Sequence, residues 1–226
     1  MKLSILIPVY NEERTIKEII ERVKRVRIPL SKEIICVDDG SRDKSLDILK
    51  KIKGIKVIEH IQNSGKGAAV KTGISNSTGD IIIIQDADLE YNPNEYGSLI
   101  KPIIENRADV VYGSRILKKS NKYSRFSFYI GGKFVTFLTN LLYNTKLTDE
   151  PTCYKVFRSS IIKKINIKEN NFEWEPEVTA KIAKKGIKIA EVPISYNPRT
   201  IKEGKKIKWR DGLRALWILI KYRFSD

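Results

Sequence analysis

The chain is poor in histidine and cysteine. His60 is the only histidine in 226 residues, and Cys36 and Cys153 are the only cysteines. A lone histidine argues against a His-based catalytic triad and against a His-rich metal site. Two cysteines build no disulfide framework. Cys36 sits in an apolar run, as a core residue does, and a reducing cytosol is the expected compartment. Met1-Lys2-Leu3 is not followed by an apolar signal region, and no apolar run approaches the ~20 residues that span a bilayer. Phosphate-loop chemistry is missing too. Gly65-Lys66-Gly67 lacks the Gly-x-x-x-x-Gly-Lys pattern, and Val70 stands where Gly-x-Gly-x-x-Gly needs its third glycine. No internal repeat or low-complexity segment is present.

Negative charge is scarce in one half only. Residues 1–114 carry 18 Lys and Arg against 17 Asp and Glu, whereas residues 115–226 carry 25 against 10. The first part is balanced like an ordinary enzyme domain. The second is suited to an anionic surface, nucleic acid or membrane. No nucleic-acid-binding motif accompanies the charge, so that reading rests on charge alone.

The periodicity alternates between short apolar runs and helical patterns. Strands are expected at Leu3–Ile7, Glu33–Val37, Ile55–Ile58, the Ile81–Ile84 run and Asp109–Tyr112. Helices fall between them, the first with Ile16, Ile19, Ile20 and Val23 on its apolar face and Asn11 as its cap. This rhythm predicts a mostly parallel, Rossmann-like α/β sheet with helices on both faces. After Arg115 the rhythm changes. A helix is expected over Phe126–Tyr143, with Phe126, Ile130, Phe134, Phe137, Leu138, Leu141 and Leu142 at helical spacing and a Gly131-Gly132 pair that could kink it. Further strands are expected at Cys153–Phe157 and Ile187–Val192. A helix follows Phe172-Glu173-Trp174, and a final amphipathic helix runs from Trp209 to Arg223, with Trp209, Leu213, Leu216, Trp217 and Ile220 on one face. Both aromatic, basic helices suit a membrane surface.

The richest stretch is Ile81-Ile82-Ile83-Ile84-Gln85-Asp86-Ala87-Asp88-Leu89-Glu90. An all-isoleucine run reads as a strand buried on both faces. Ligands of open α/β sheets bind beyond the carboxyl ends of strands, which places Asp86, Asp88 and Glu90 at the mouth of a site. Three carboxylates so close call for a positive partner, and a hard cation such as Mg2+ or Mn2+ is the expected one. An EF-hand is excluded, since Tyr91 and Gly97 occupy the positions of its Gly and Glu.

Pro8-Val9-Tyr10-Asn11-Glu12, Asp38-Asp39-Gly40-Ser41, Asn63-Ser64-Gly65-Lys66-Gly67 and Asp86-Ala87-Asp88 follow successive strands. In this order the set resembles the family 2 glycosyltransferases of the GT-A fold. Gly113-Ser114-Arg115, the Arg125–Tyr143 segment and Thr148-Asp149-Glu150-Pro151-Thr152-Cys153-Tyr154-Lys155-Val156-Phe157 resemble the polyprenyl-phosphate branch typified by dolichyl-phosphate mannose synthase. The resemblance covers the whole chain and implies one catalytic domain over 1–226, with a nucleotide-sugar half (1–114) and an acceptor and membrane-facing half (115–226).

The resemblance implies roles for individual residues. Pro8, Tyr10, Glu12, Asp38, Asp39, Lys66, Asp86 and Ala87 would hold the sugar nucleotide, and Asp86, Asp88 and Glu90 the metal, with Asp88 catalytic. Glu90 replaces the Gln of the mannose synthases and is itself a competent ligand. The reaction implied is inverting transfer of a hexose from GDP-mannose, UDP-glucose or UDP-N-acetylglucosamine to a dolichyl or polyprenyl phosphate. Arg115, Arg125, Arg199, Lys205 and Lys206 would dock the acceptor phosphate. Asp149 stands where the wider family offers a general base. A phosphate acceptor, with a second pKa of about 6, needs none, so Asp149 is expected to orient the acceptor or a cation. A soluble hydroxyl acceptor is the alternative, with Asp149 then the base. The expected location is the cytoplasmic face of a membrane, peripherally, in contact with anionic lipid and in reach of a separate anchoring subunit.

Overall fold

The computed structural model describes residues 1–123, 125–199, 206 and 209–225. Its centre is the isoleucine run. All four residues of β4 (Ile81–Ile84) are fully buried, and because alternate side chains of a strand point to opposite faces, both faces of the sheet are covered there. β1 (Lys2–Val9) pairs with β4 on one side, Leu3 opposite Ile81, and β2 (Ser31–Asp38) and β3 (Lys56–Glu59) extend the sheet outward in parallel. β5 (Val110–Ser114), β6 (Lys155–Arg158) and β7 (Ile189–Pro193) complete the order β3-β2-β1-β4-β6-β5-β7.

β6 is inserted between β4 and β5 and runs antiparallel to both. This reversal has a consequence for the site. The approach to an antiparallel strand lies at the end where its parallel neighbours finish. Thr148–Tyr154 therefore arrives beside Asp86 and Arg115, which follow β4 and β5.

Helices α1 (Ile16–Arg25), α2 (Ser45–Lys51), α3 (Lys66–Ser75), α4 (Tyr96–Ile104, after a 3-10 turn Pro93–Glu95) and α7 (Trp174–Lys184) supply the packing around the sheet, with the short α6 (Ser159–Ile162) after β6. α1 buries Ile16, Ile19, Ile20 and Val23, the stripe its spacing implies, and its last turn is basic, as the helix dipole favours. Its start differs from expectation. Asn11 does not cap it. Asn11 lies in the left-handed region, φ 51°, which its short polar side chain tolerates, and its Oδ1 accepts the Arg42 amide at 2.8 Å. The helix begins at Ile16, with the Glu12 carbonyl accepting from Thr15 and Ile16. Ser41 and Ser45 likewise turn their hydroxyls to the Asn11 and Glu12 amides, so the loop after β1 is bolted to the loop after β2.

α5 (Phe126–Tyr143) runs unbroken through Gly131-Gly132 and packs against α8 (Trp209–Phe224), which also packs on α7. The faces buried are not the aromatic stripes. α5 buries Val135, Thr136 and Thr139; α8 buries Ile218, Leu219 and Tyr222. Phe126, Phe134, Phe137 and Leu141 of α5 are exposed, as are Trp209, Leu213 and Trp217 of α8. The Tyr143 hydroxyl donates to the Leu219 carbonyl at 2.6 Å and fixes one helix on the other. Among the described residues no helix is long and apolar enough to cross a membrane.

Candidate active site

The loops at the carboxyl ends of the parallel strands enclose a cavity of about 810 Å3. Pro8, Tyr10, Glu12, Asp39, Lys66, Asp86, Ala87, Asp88, Glu90, Arg115, Arg125, Asp149, Arg199 and Lys206 all line it. Asp38 lies behind the wall, fully buried, with Oδ2 accepting the Ser41 amide at 2.9 Å and Oδ1 without a hydrogen-bond partner. Lys205 lies outside the described residues. The cavity continues from the end of β4 outward between α5 and α8, where Tyr129, Lys133, Trp209 and Ala215 line it.

The first wall is built by Asp39. Its Oδ1 accepts the Ser64 amide at 2.9 Å, and Oδ2 accepts the Gly65 amide at 2.7 Å and the Asn63 side chain at 3.0 Å. His60 Nδ1 lies 2.7 Å from the same carboxylate and its Nε2 2.9 Å from Thr72. The sole histidine thus braces the glycine turn. Gly65 has φ +98°, and a Cβ there would lie 2.3 Å from the Asn170 carbonyl oxygen, so only glycine fits. The turn delivers Lys66 to Asp86 at 2.9 Å and to Glu175 at 2.9 Å. Burial opposes its charge, but the two carboxylates outweigh that and hold the ammonium well above the ordinary lysine range.

At the mouth, Arg199 gathers the remaining carboxylates. Its guanidinium is 2.9 Å from Asp88, 3.1 Å from Glu12 and 3.8 Å from Glu90. Lys206 reaches Glu12 at 2.7 Å and also the Tyr10 carbonyl. Glu90 accepts from the Tyr196 hydroxyl at 2.7 Å. Burial, then the charges of Asp86 and Glu90, push Asp88 up to about 7 even with Arg199 beside it.

On the far wall Arg115 and Asp149 form a two-pronged pair, both contacts 2.7 Å, and the Arg115 amide adds a third hydrogen bond to the same carboxylate at 2.8 Å. The guanidinium also lies 5.1 Å over the Tyr196 ring. Burial would raise Asp149, but Arg115 prevails and holds its carboxyl below the usual range. Three cavity groups were given no site role by the sequence, although Glu150 lies in the Thr148–Phe157 segment. Glu175 and Glu150 look like helix and loop carboxylates, and Tyr196 like a loop aromatic. Only tertiary pairing reveals them.

The sequence profile of glycosyl transferase family 2 matches residues 4–166. The chain belongs to glycosyl transferase family 2. It is 32% identical to an uncharacterized protein of Methanocaldococcus jannaschii over 97% of this chain and 91% of that one. It is 28% identical to the dodecaprenyl-phosphate galacturonate synthase of Rhizobium johnstonii, over 88% of this chain and 60% of that protein. It is also 28% identical to the dolichol-phosphate mannosyltransferase of Pyrococcus furiosus, over 98% of this chain and 64% of that protein. The glucosyl-3-phosphoglycerate synthase of Mycobacterium tuberculosis, solved with Mn2+, UDP and glucosyl-3-phosphoglycerate, superposes with a TM-score of 0.77 at 18% identity, over 98% of this chain and 79% of that one. The fold is the GT-A fold of this family, with one reversed strand in an otherwise parallel sheet.

The glucosyl-3-phosphoglycerate synthase structure was solved with Mn2+. Among the described residues no three carboxylates converge at ligating distance. Lys66 holds Asp86 aside, while Arg199 holds Asp88 and Glu90. The donor set is oxygen throughout, as Mg2+ and Mn2+ require.

Proposed function

We propose that this chain transfers a hexose, with inversion, from a sugar nucleotide to a polyprenyl phosphate at a membrane surface. The observation that carries the reading is the course of the cavity. It starts at the carboxylates after β4 and leaves between the two helices whose aromatic stripes face outward. Residues 1–114 are the donor half on this reading, and residues 115–226 the acceptor half. Two relatives are named for different sugars on the same class of lipid phosphate, which supports the acceptor more than the sugar.

A phosphate oxygen of the acceptor attacks the anomeric carbon, the bond from that carbon to the diphosphate oxygen breaks, and the nucleoside diphosphate leaves. Asp86, Asp88 and Glu90 would hold the divalent cation, which supplies neutralising charge for the leaving diphosphate. Tyr10, Glu12 and Asp39 shape the pocket for base and ribose, and Asp38, behind the wall, acts on it only by holding the Ser41 turn. Arg125, Lys206 and Arg199 are the cations that meet the acceptor phosphate, and Lys205 belongs to the same basic segment of the sequence. Asp149 is a poor candidate for a base. Its carboxylate is bound three times by Arg115 and held at low pKa. An acceptor that is already anionic needs no such base, which favours a phosphate over a sugar hydroxyl. Asp149 instead fixes Arg115 for the incoming phosphate.

The exposed Phe134, Phe137, Trp209 and Trp217 beside Lys133 and Arg210 suit peripheral binding to the cytoplasmic leaflet, where the lipid phosphate lies at the surface. The test is incubation with radiolabelled GDP-mannose, UDP-glucose or UDP-N-acetylglucosamine, Mn2+ and a polyprenyl phosphate. Label from one donor is expected in the organic phase. Label that appears only in a water-soluble acceptor overturns the proposal.

A further inference from the structure

The Lys66–Glu175 pair lies beside Asp86. Glu175 comes from α7, 109 positions along the chain from Lys66, and the two meet at 2.9 Å. Their meeting is fixed from both sides. The Ala68 amide donates to the Asn170 carbonyl at 3.0 Å, and a Cβ at Gly67 would lie 2.9 Å from the Trp174 Cβ. The glycine turn and the start of α7 are therefore in backbone contact.

The pair leaves hydrogen-bonding capacity facing the cavity. Lys66 has three N–H donors, and its carboxylate partners are Asp86 and Glu175. Glu175 Oε1 takes Lys66, and the carboxylate lines the cavity. A second observation points the same way. Glu150 lines the same cavity, is fully buried, and has an Oε2 without a partner, while its Oε1 accepts only the Thr179 hydroxyl, at 2.8 Å. Its nearest cation, Lys155, stands 3.8 Å away. The Phe172 ring, 5.8 Å from the Lys66 ammonium, adds an apolar flank.

Such a wall is rich in acceptors, and two carboxylates share one ammonium. Sugar hydroxyls can donate to Glu175 and Asp86 and accept from Lys66. A uronic acid seated on this wall would bring another carboxylate against Glu175 and Asp86, whose lysine is already shared, and like charges would oppose it there.

We propose that Glu175, braced by Lys66, reads the hydroxyls of the transferred sugar and selects a neutral hexose or N-acetylhexosamine over a uronic acid. The inference rests on the transferase reading, and it names the sugar class that this site takes.

Calorimetric titration of the full chain in Mn2+ tests it with UDP, UDP-glucose and UDP-glucuronate, and with GDP, GDP-mannose and GDP-mannuronate. The neutral sugar nucleotide of whichever base binds should bind about tenfold or more tighter than its uronate counterpart, the loss expected for an unmatched charged hydrogen bond. Glu175→Gln should shrink that ratio to about threefold or less while leaving the affinity for the bare nucleoside diphosphate within about twofold. A uronate bound as tightly as the neutral sugar by the unaltered chain overturns the inference without any variant. So does a Glu175→Gln that weakens the bare diphosphate as much as the sugar nucleotide, since Glu175 would then only position the Lys66 turn. Binding of no nucleotide at all removes the transferase reading, and this inference with it.

Discussion

The two halves of the chain expose different surfaces. Before residue 115 the large exposed apolar side chains are Met1 and Ile61; after it they include Tyr123, Phe126, Ile130, Phe134, Phe137, Leu141, Trp209, Leu213, Trp217, Ile220 and Phe224. The excess positive charge lies in the same half, 25 Lys and Arg against 10 Asp and Glu. Charge alone would suit a nucleic acid as well as a lipid surface. Charge beside a double row of aromatic and aliphatic side chains favours the lipid, because those groups gain by leaving water and have no comparable partner on a phosphate backbone. The first half instead buries its apolar groups and turns its polar ones to the cavity. The same cavity joins the two.

The comparison breaks most severely at the seam. Asp88→Ala removes the carboxylate that Arg199 binds at 2.9 Å and that the proposal assigns to the donor side, and transfer should fall by about 10²–10³ or more, the scale of losing one preorganised electrostatic group, read by radiolabel transfer. Next comes the Arg115–Asp149 pair. Asp149→Asn should lower the melting temperature by roughly 10 °C, since breaking a buried pair costs about 3–5 kcal/mol. Asp149 is held low by Arg115, so its contribution is full above the ordinary carboxylate range and fades as pH falls. The gap between the two proteins should be widest at neutral pH and close in acid. The pH–rate profile of the variant should keep its shape. Loss of one limb would instead make Asp149 a base and favour a hydroxyl acceptor.

Smaller effects separate the surfaces. Phe134→Ser and Trp217→Ser should each weaken flotation with anionic vesicles by about tenfold, the scale of one aromatic burial, and should leave transfer to a short-chain, water-dispersed polyprenyl phosphate nearly unchanged. Equal losses on both acceptors would assign these residues to the catalytic centre. The smallest effect lies far from the seam. Burial alone would push Glu33 up, but hydrogen bonds from Lys2, Ser4 and Thr78 hold it at about 2. Its stabilisation is present above the ordinary carboxylate range and is lost as pH falls toward 2. Glu33→Gln should lower the melting temperature by about 2–4 °C at pH 7, with the difference disappearing toward pH 2.

Much of the scaffold was legible because it follows local rules. The Ile81–Ile84 run reads as a doubly buried strand, α1 shows its stripe, and polar clusters mark the strand ends. Three things were not legible, each for a tertiary reason. Strand direction is decided by pairing, so β6 gave no sign that it runs backward between β4 and β5. The stripes of α5 and α8 were visible, but amphipathicity does not say which face packs. Here Thr136 and Thr139 are buried, each hydroxyl satisfied by a carbonyl one turn back, while the phenylalanines stay outside. Within the site, the acidic cluster after β4 was readable. Lys66 and Arg199 were also legible as candidate site cations, but their ion-pair partners were not, since Arg199 lies 111 positions from Asp88 and Glu175 109 from Lys66.

The division of labour between the halves is tested most directly by measuring both Michaelis constants, for sugar nucleotide and for polyprenyl phosphate, in one assay with Tyr10→Ala and Arg125→Ala. Tyr10→Ala should raise the donor constant about tenfold and leave the acceptor constant within about twofold, and Arg125→Ala should do the reverse. If either variant raises both constants equally, or if the effects are exchanged, the assignment of a donor half and an acceptor half is contradicted.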